Sequence, residues 1–159
     1  MVAQFKRFVM RMAYLGLKTK WWFTRPISMG VRIMLIDDER VIMIRQTYYK
    51  DGWYFPGGLV DRGETPLEAA KREAFEEVGA TCHSEPRLLG IFTQYVEFKS
   101  DHVVLFVCDD FSLSEKSASW EVEQIQAFRL TELPKNSSPG GRRRVAEYLD
   151  GALPVSTMW

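Results

Sequence analysis

The chain has 159 residues, of which 46% are hydrophobic and 13% aromatic, enough apolar material for the core of one domain. Its 21 basic and 21 acidic side chains balance, so a nucleic-acid-binding protein with a pervasive basic face is not expected. No stretch approaches the roughly 18 to 20 apolar residues that span a bilayer, and Arg11 interrupts the early apolar run, so no secretory signal is expected either. The sequence therefore predicts a cytoplasmic protein.

The first 25 residues differ in charge from the rest of the chain. They carry six basic side chains and no acidic one, whereas residues 26–159 carry 15 basic and 21 acidic side chains. Apolar and aromatic residues lie among the basic ones over residues 5–17, which predicts an amphipathic helix, and Trp21, Trp22 and Phe23 follow it. We therefore divide the chain into a basic extension, residues 1–25, and a main domain, residues 26–159.

Two kinds of contact are open to this extension. A basic segment that ends in aromatic residues can lie on an anionic membrane surface. Packing on its own domain or on a second subunit, which would make a homodimer, is the commoner outcome for such a segment. We expect one of these two packing arrangements rather than membrane contact.

The main domain alternates between strand and helix patterns. Strands, rich in β-branched and long apolar residues, are expected at residues 29–36, 41–46, 53–55, 87–98, 102–109 and 121–129. Hairpin turns are expected at residues 37–40 and 99–101, and another turn at residues 133–134. Helices are expected at residues 66–78 and 142–149. Strands on both sides of one strongly patterned helix, with a second helix at the end, predict an α/β fold whose sheet is covered on both faces.

The helix at residues 66–78 has both of its ends marked. Thr65 is a suitable N-cap, Pro66 suits the first helical position, and a glycine follows the last residue. At about 100° per residue, Glu73, Glu76 and Glu77 fall within an arc of roughly 100° on one face. The adjacent face is apolar and can pack on a sheet; it consists of Leu67, Ala70, Ala74 and Val78. The pattern predicts three carboxylates converging on one spot.

An acidic cluster on one helix face needs either solvation or a compensating cation, because like charges at this spacing destabilise a helix. Oxygen ligands of this kind suit Mg²⁺, with Mn²⁺ as the other candidate. A solvated face paired with Lys71 and Arg72 is the alternative explanation. The three glutamates alone do not decide between the two.

The wider spacing favours the metal site. Gly58 is followed by five residues, Glu64, seven residues, and then the run from Arg72 to Ala80, which reads REAFEEVGA. This pattern, with the approach Phe55-Pro56-Gly57-Gly58, resembles the signature box of the Nudix hydrolase family. The resemblance is most specific over residues 55–80. It implies the Nudix α/β/α sandwich, with a mixed β-sheet and the box as a loop-helix-loop.

The resemblance also implies an activity. Nudix hydrolases cleave a nucleoside diphosphate linked to another moiety, with water attacking a phosphorus of the pyrophosphate. Glu73, Glu76 and Glu77, with the Gly58 loop close by, would then hold one or more divalent ions, which neutralise phosphate oxygens and lower the pKa of a bound water.

Further roles follow for the charged residues around the box. Arg72 is expected to orient a glutamate through a bidentate contact, and Glu64 to reach the metals or to accept a proton from the attacking water. For the general base, Glu76 or Glu77 is favoured. Glu121 is the alternative base, because family members often carry a carboxylate in that region.

Substrate contacts must come from outside the box. Arg45 ends a strand just before an aromatic-rich run that includes Tyr54 and Phe55, so a cation and stacking rings could meet a nucleotide there. Tyr95 lies where subfamilies of Nudix hydrolases differ from one another. These four residues are the candidate substrate-binding set.

The expected function is hydrolysis of a small-molecule nucleotide, with a nucleoside diphosphate sugar such as ADP-ribose or a related sugar nucleotide as the leading substrate class. Removal of pyrophosphate from oxidised or non-canonical nucleoside triphosphates is the alternative enzymatic function. A nucleotide-sensing module that binds without hydrolysis is the alternative outside enzymology. Such modules typically lose carboxylates of the box, whereas this chain retains Glu73, Glu76 and Glu77.

Overall fold

The computed structural model of the chain describes residues 2–24, 27–47, 52–96, 99–114, 120–152 and 155–159. In chain order the elements are α1 (Val2–Thr24), β1 (Ile27–Asp37), β2 (Arg40–Gln46), α2 (Pro66–Val78), β3 (Ala80–Cys82), β4 (Arg87–Val96), β5 (Lys99–Cys108), β6 (Phe111–Leu113), β7 (Val122–Arg129), α3 (Pro139–Leu149) and β8 (Val155–Met158). None of the described helices is long and apolar enough to cross a membrane.

Within the described residues, six strands form one mixed sheet in the order β7-β2-β1-β5-β4-β8. The β1–β5 and β4–β8 pairs are parallel, and the other neighbours are antiparallel. A separate two-stranded sheet joins β3 to β6. The long parallel pairing of β1 with β5 places the start of each of these strands at the same end of the sheet, where the box approaches β1.

Helices cover both faces of the sheet, because apolar side chains of the central strands alternate between the two faces. Val31, Ile33 and Leu35 of β1 lie in one buried cluster with the apolar face of α2. Met34 and Ile36 lie in a second cluster, together with Val145 of α3. The predicted α/β/α sandwich with a mixed sheet is confirmed.

Helix α2 has the bounds that the sequence predicts. The Thr65 side chain accepts from the Glu68 main-chain N–H at 3.2 Å, and the Glu68 carboxylate accepts from the Thr65 N–H at 2.8 Å, which is a complete capping box. Gly79 ends the helix in the left-handed conformation at φ 70°. Both ends of α2 are therefore fixed by local interactions.

Several predicted boundaries differ from the structure. Residues 99–101, expected as a turn, begin β5 and pair with the end of β4. Residues 97–98, expected as the end of a strand, lie outside the described residues. Residues 53–55 make only isolated bridges, from Tyr54 to Ile44 and from Trp53 to Ser137. Helix α3 begins three residues earlier than expected, because Ser138 caps it ahead of Pro139.

Helix α1 continues past residue 17 to Thr24 and so includes the aromatic residues that end the extension. The boundary between extension and main domain falls at residues 25–26, and the aromatic run before the box includes residues 48–51; both lie outside the described residues. The division of the chain at this point stays a prediction, as do the homodimer and the membrane contact.

Candidate active site

The glycine loop before α2 lies directly against β1. The Val31 N–H donates to the Gly58 carbonyl at 2.8 Å, and the Ile33 N–H donates to the Pro56 carbonyl at 3.0 Å. Gly57 has φ 145°, and a Cβ atom on it would overlap the Val31 carbonyl oxygen. A Cβ atom on Gly58 would overlap the carboxylate of Glu73. Position 57 therefore requires glycine, whereas a side chain at position 58 would displace the Glu73 carboxylate.

Arg72 is the centre of the charge network around the loop. Its Nε and Nη2 donate to the two carboxylate oxygens of Glu64, at 2.8 and 3.0 Å. Its Nη1 donates to Glu73 at 2.8 Å and to Glu76 at 3.2 Å. The hydrogen bonds from Arg72 lower the pKa of Glu64. The expected bidentate contact is present, and the glutamate that receives it is Glu64.

Glu77 is the most buried carboxylate of the box, with 3% of its surface exposed. One of its oxygens accepts from the Gly57 N–H at 2.7 Å, and the other accepts from Nε2 of Gln46 at 3.2 Å. Burial raises the pKa of Glu77 to about 7, and it also raises the pKa of Glu73. Two of the three helix carboxylates are therefore desolvated.

The three carboxylates do not converge on one point. In the part of the chain that the structure describes, no three His, Cys, Asp or Glu side chains form a ready-made set of metal ligands. Arg72 lies between Glu73 and the half-exposed Glu76, whereas Glu77 is turned towards Gly57. The predicted convergence is thus replaced by a network centred on a guanidinium.

The chemistry of this donor set nevertheless fits a divalent cation. The Arg72 guanidinium is itself a cation bound between two carboxylates, Glu73 and Glu76. Glu73 and Glu77 are desolvated carboxylates, whose negative charge a hard cation would stabilise. The assignment of Glu73, Glu76 and Glu77 as ligands, with Gly58 alongside them, stays a prediction.

A cleft of about 710 Å³ opens beside this network. Gly57, Gly58, Arg72 and Glu73 line one part of it. Its volume lies within the range of small-molecule sites. The charged network is thus accessible to a ligand of nucleotide size.

Two of the four candidate substrate residues, Tyr54 and Phe55, line the cleft, whereas Arg45 and Tyr95 are not among its lining residues. Successive residues of a strand point to opposite faces, so Arg45 lies on the face opposite Ile44 and its guanidinium sits over the Trp53 ring at 5.1 Å. Tyr95 is 74% exposed on β4.

Glu121, the alternative base, also lines the cleft. Its main-chain carbonyl accepts from the Thr47 N–H at 2.8 Å, which ties the start of β7 to the end of β2. A role for its side chain as base stays a prediction.

The sequence reasoning missed two residues that support the loop. Nη1 of Arg32 donates to the carbonyls of Phe55 and Gly57, at 3.1 and 2.6 Å. Gln46 holds Glu77 from the end of β2. The sequence did carry a signal for both residues, because Arg32 and Gln46 are polar side chains within otherwise apolar strand patterns. A buried polar side chain needs a hydrogen-bond partner.

The two ends of the chain complete the walls of the cleft. Ala13, Tyr14, Leu17 and Trp21 of α1 line one side. Trp159 lines another, packed so tightly on Gly140 that a Cβ atom there would overlap its ring.

Comparisons with known proteins agree with this architecture. The family model described as NUDIX domain matches residues 26–149. An RNA pyrophosphohydrolase from Vibrio vulnificus is 31% identical over 71 residues, covering 45% of this chain and 41% of that protein. A CMP-5'-(N-acetyl-N-hydroxy-3-aminopropyl)phosphonate hydrolase from Streptomyces rubellomurinus is 46% identical over 55 residues, 31% of this chain and 27% of that protein. The chain thus spans well under half the length of these relatives.

Solved structures share the fold. The crystal structure of a MutT NUDIX hydrolase from Burkholderia pseudomallei superposes with a TM-score of 0.67 at 23% identity, covering 76% of this chain and 96% of that one. The family model covers most of the chain, including the glycine loop and α2. The protein therefore belongs to the Nudix hydrolase family.

Proposed function

We propose that the protein is a Mg²⁺-dependent pyrophosphohydrolase that cleaves the phosphoanhydride of a nucleoside diphosphate linked to another moiety, such as ADP-ribose or a related sugar nucleotide. The observation that carries the proposal is the juxtaposition of Glu73 and Arg72 with the Gly57–Gly58 loop on the wall of one cleft. Water would form a bond to one phosphorus while the bridging P–O bond breaks, which gives a nucleoside monophosphate and the phosphorylated second moiety.

The chain's own residues would position the reacting groups. Glu73, Glu76 and Glu77 would hold the divalent ion, which when bound neutralises phosphate oxygens and acidifies water. Arg32 fixes the glycine loop through two carbonyls, and the loop in turn fixes Glu77 through the Gly57 N–H. Such preorganised positioning supplies most of the catalysis in this type of transfer.

The names of the relatives support two substrate classes. One relative is named as a hydrolase of a CMP-linked phosphonate, which is a nucleotide joined to a small organic moiety. Another is named as an RNA pyrophosphohydrolase, so removal of pyrophosphate from an RNA 5′ end is the second candidate function.

A substrate panel tests the proposal. Purified full-length protein with Mg²⁺ would be assayed against ADP-ribose, UDP-glucose, nucleoside triphosphates and 5′-triphosphorylated RNA, with identification of the products. We expect a nucleoside monophosphate and a sugar phosphate from the first two. Preferential release of pyrophosphate from RNA would establish the second candidate instead. The Glu77→Gln variant, assayed in parallel, controls for contaminating hydrolases.

A further inference from the structure

Helix α1 supplies a wall of the cleft, although it lies outside the part of the chain that the family model matches, residues 26–149. Tyr14, Leu17 and Trp21 line the cleft and recur at helical spacing, so they share one face of α1. Tyr14 and Trp21 are both half-buried. The family resemblance does not account for this wall, and it requires its own explanation.

The arrangement of the two rings suits a planar ligand. The ring centroids of Tyr14 and Trp21 are 6.1 Å apart and the ring planes meet at 85°. The edge-to-face contact holds the two rings in a fixed relative orientation, with the Lys18 ammonium 5.8 Å from the centre of the Tyr14 ring. Elsewhere on α1 the described apolar side chains are largely exposed, with Trp22 at 51% and Phe23 at 73%. The cleft is thus where the described aromatic side chains of α1 are most enclosed.

A buried acceptor lines the same cleft. Asp101 is 9% exposed, and its two oxygens accept from the Ser28 hydroxyl at 2.8 Å and from Nε2 of Gln94 at 3.2 Å. These two contacts fix the carboxylate at the wall of the cleft. The cleft therefore combines a charged end at Arg72 with an acceptor at Asp101 and the rings of α1.

We propose that Tyr14 and Trp21 form the binding subsite for the nitrogenous base of the substrate, an inference that rests on the proposed function. The phosphates then contact the part of the cleft that Arg72 lines. The extension thus helps to set which nucleotide the enzyme accepts, while α2 supplies the groups for hydrolysis.

The test compares a ligand that has a base with one that lacks it. In the full-length Glu77→Gln background with Mg²⁺, the affinities for ADP and for inorganic pyrophosphate are measured by calorimetry. Adding Trp21→Ala or Tyr14→Ala should weaken ADP binding about tenfold to a hundredfold, the usual loss on removing a stacking ring, and change pyrophosphate binding less than twofold. Trp22→Ala is the matched control on the same helix and should change neither affinity.

Either of two results overturns the inference: Trp21→Ala weakens ADP and pyrophosphate equally, or it weakens ADP no more than Trp22→Ala does. Circular dichroism and the unfolding midpoint of each variant identify any general loss of structure, and Trp21→Phe, which retains a ring, should recover most of the affinity for ADP. The binding measurement requires no turnover. Failure of wild-type protein to hydrolyse the panel would therefore count against the proposed function without deciding the base subsite.

Discussion

At the scale of single residues, Glu77 and Gln46 make a buried polar pair in which one polar atom has no hydrogen bond. Gln46 donates to Glu77, while its own Oε1 has no hydrogen-bond partner. The orientation of a glutamine amide is assigned from its network, and rotation of this amide would offer Oε1 to a donor at position 77. The space around residue 77 can therefore hold either a protonated glutamate or a glutamine, which has nearly the same shape.

The first prediction concerns Glu77→Gln. Loss of the carboxylate should lower turnover by about two to four orders of magnitude, as expected for a metal ligand or base. The same change removes a buried charge, so the unfolding midpoint in metal-free buffer at pH 8 should rise. Paired measurements of kcat and thermal unfolding check this, and a variant with wild-type turnover would contradict the site assignment.

The second prediction concerns Arg72→Lys. An ammonium group keeps the charge but cannot make the paired contact to both oxygens of Glu64 while also reaching Glu73 and Glu76. We expect kcat to fall about tenfold or more with little change in the unfolding midpoint. Lys71→Arg on the same helix serves as the control, and equal kcat values for the two variants would show that the fork geometry of Arg72 is dispensable.

At the scale of elements, α2 was predictable because everything that defines it is local. Thr65, Glu68 and Gly79 fix its ends within its own sequence. The short strands were missed because their partners are distant: Ala80 of β3 pairs with Leu113, and Gly90 of β4 pairs with Val155 of β8. Three- and four-residue strands carry too few residues for an alternating pattern to be recognised.

The residues of the candidate site also fall into two groups, those that local sequence predicts and those that it does not. Gly58, Glu64, Arg72 and Glu73 were located by spacing along the chain, and the structure brings them together. Arg32, Gln46 and the α1 residues were missed because their proximity depends on sheet register and helix placement rather than on local sequence. Arg45 was placed in the substrate set because the sequence alone did not show that its guanidinium lies over the Trp53 ring and that β2 does not line the cleft.

The third prediction concerns the contact between α3 and β4. Arg144 is 1% exposed; it donates to Glu147 at 2.7 Å, and its guanidinium lies 4.1 Å from the centre of the Phe92 ring. Arg144→Ala should lower the free energy of unfolding by about 2 to 4 kcal/mol, because it removes buried packing and leaves Glu147 without its partner. Chemical denaturation measures this loss. The exposed Arg142→Ala is the matched control, and a loss of the same size there would contradict the assignment.

At the scale of the whole molecule, the buried carboxylate links stability to pH. The ordinary pKa of Glu77 is 4.5 and burial raises it to about 7, so between these values the folded protein binds a proton that the unfolded chain has released. The stabilisation from this proton is complete below pH 4.5 and is lost as pH rises through about 7. The loss is on the order of 3 kcal/mol.

The fourth prediction follows from this linkage. In EDTA, the unfolding midpoint of the wild type should fall between pH 5 and pH 8 more than that of Glu77→Gln. Added Mg²⁺ should raise the wild-type midpoint more at pH 8 than at pH 5.5, because protons compete with the ion for the same carboxylates. Differential scanning fluorimetry measures both effects. An identical Mg²⁺ response at the two pH values would indicate that the ion binds elsewhere.

The cleft is bordered by both ends of the chain, by α1 at the start and by Trp159 at the finish, whereas the glycine loop and α2 come from its middle. A peptide tag fused directly after Trp159 would therefore start at the wall of the cleft. Kinetic constants measured on tagged material should be compared with those of protein from which the tag has been cleaved. Sequence drift at the termini could likewise redirect ligand preference while the hydrolytic centre is preserved.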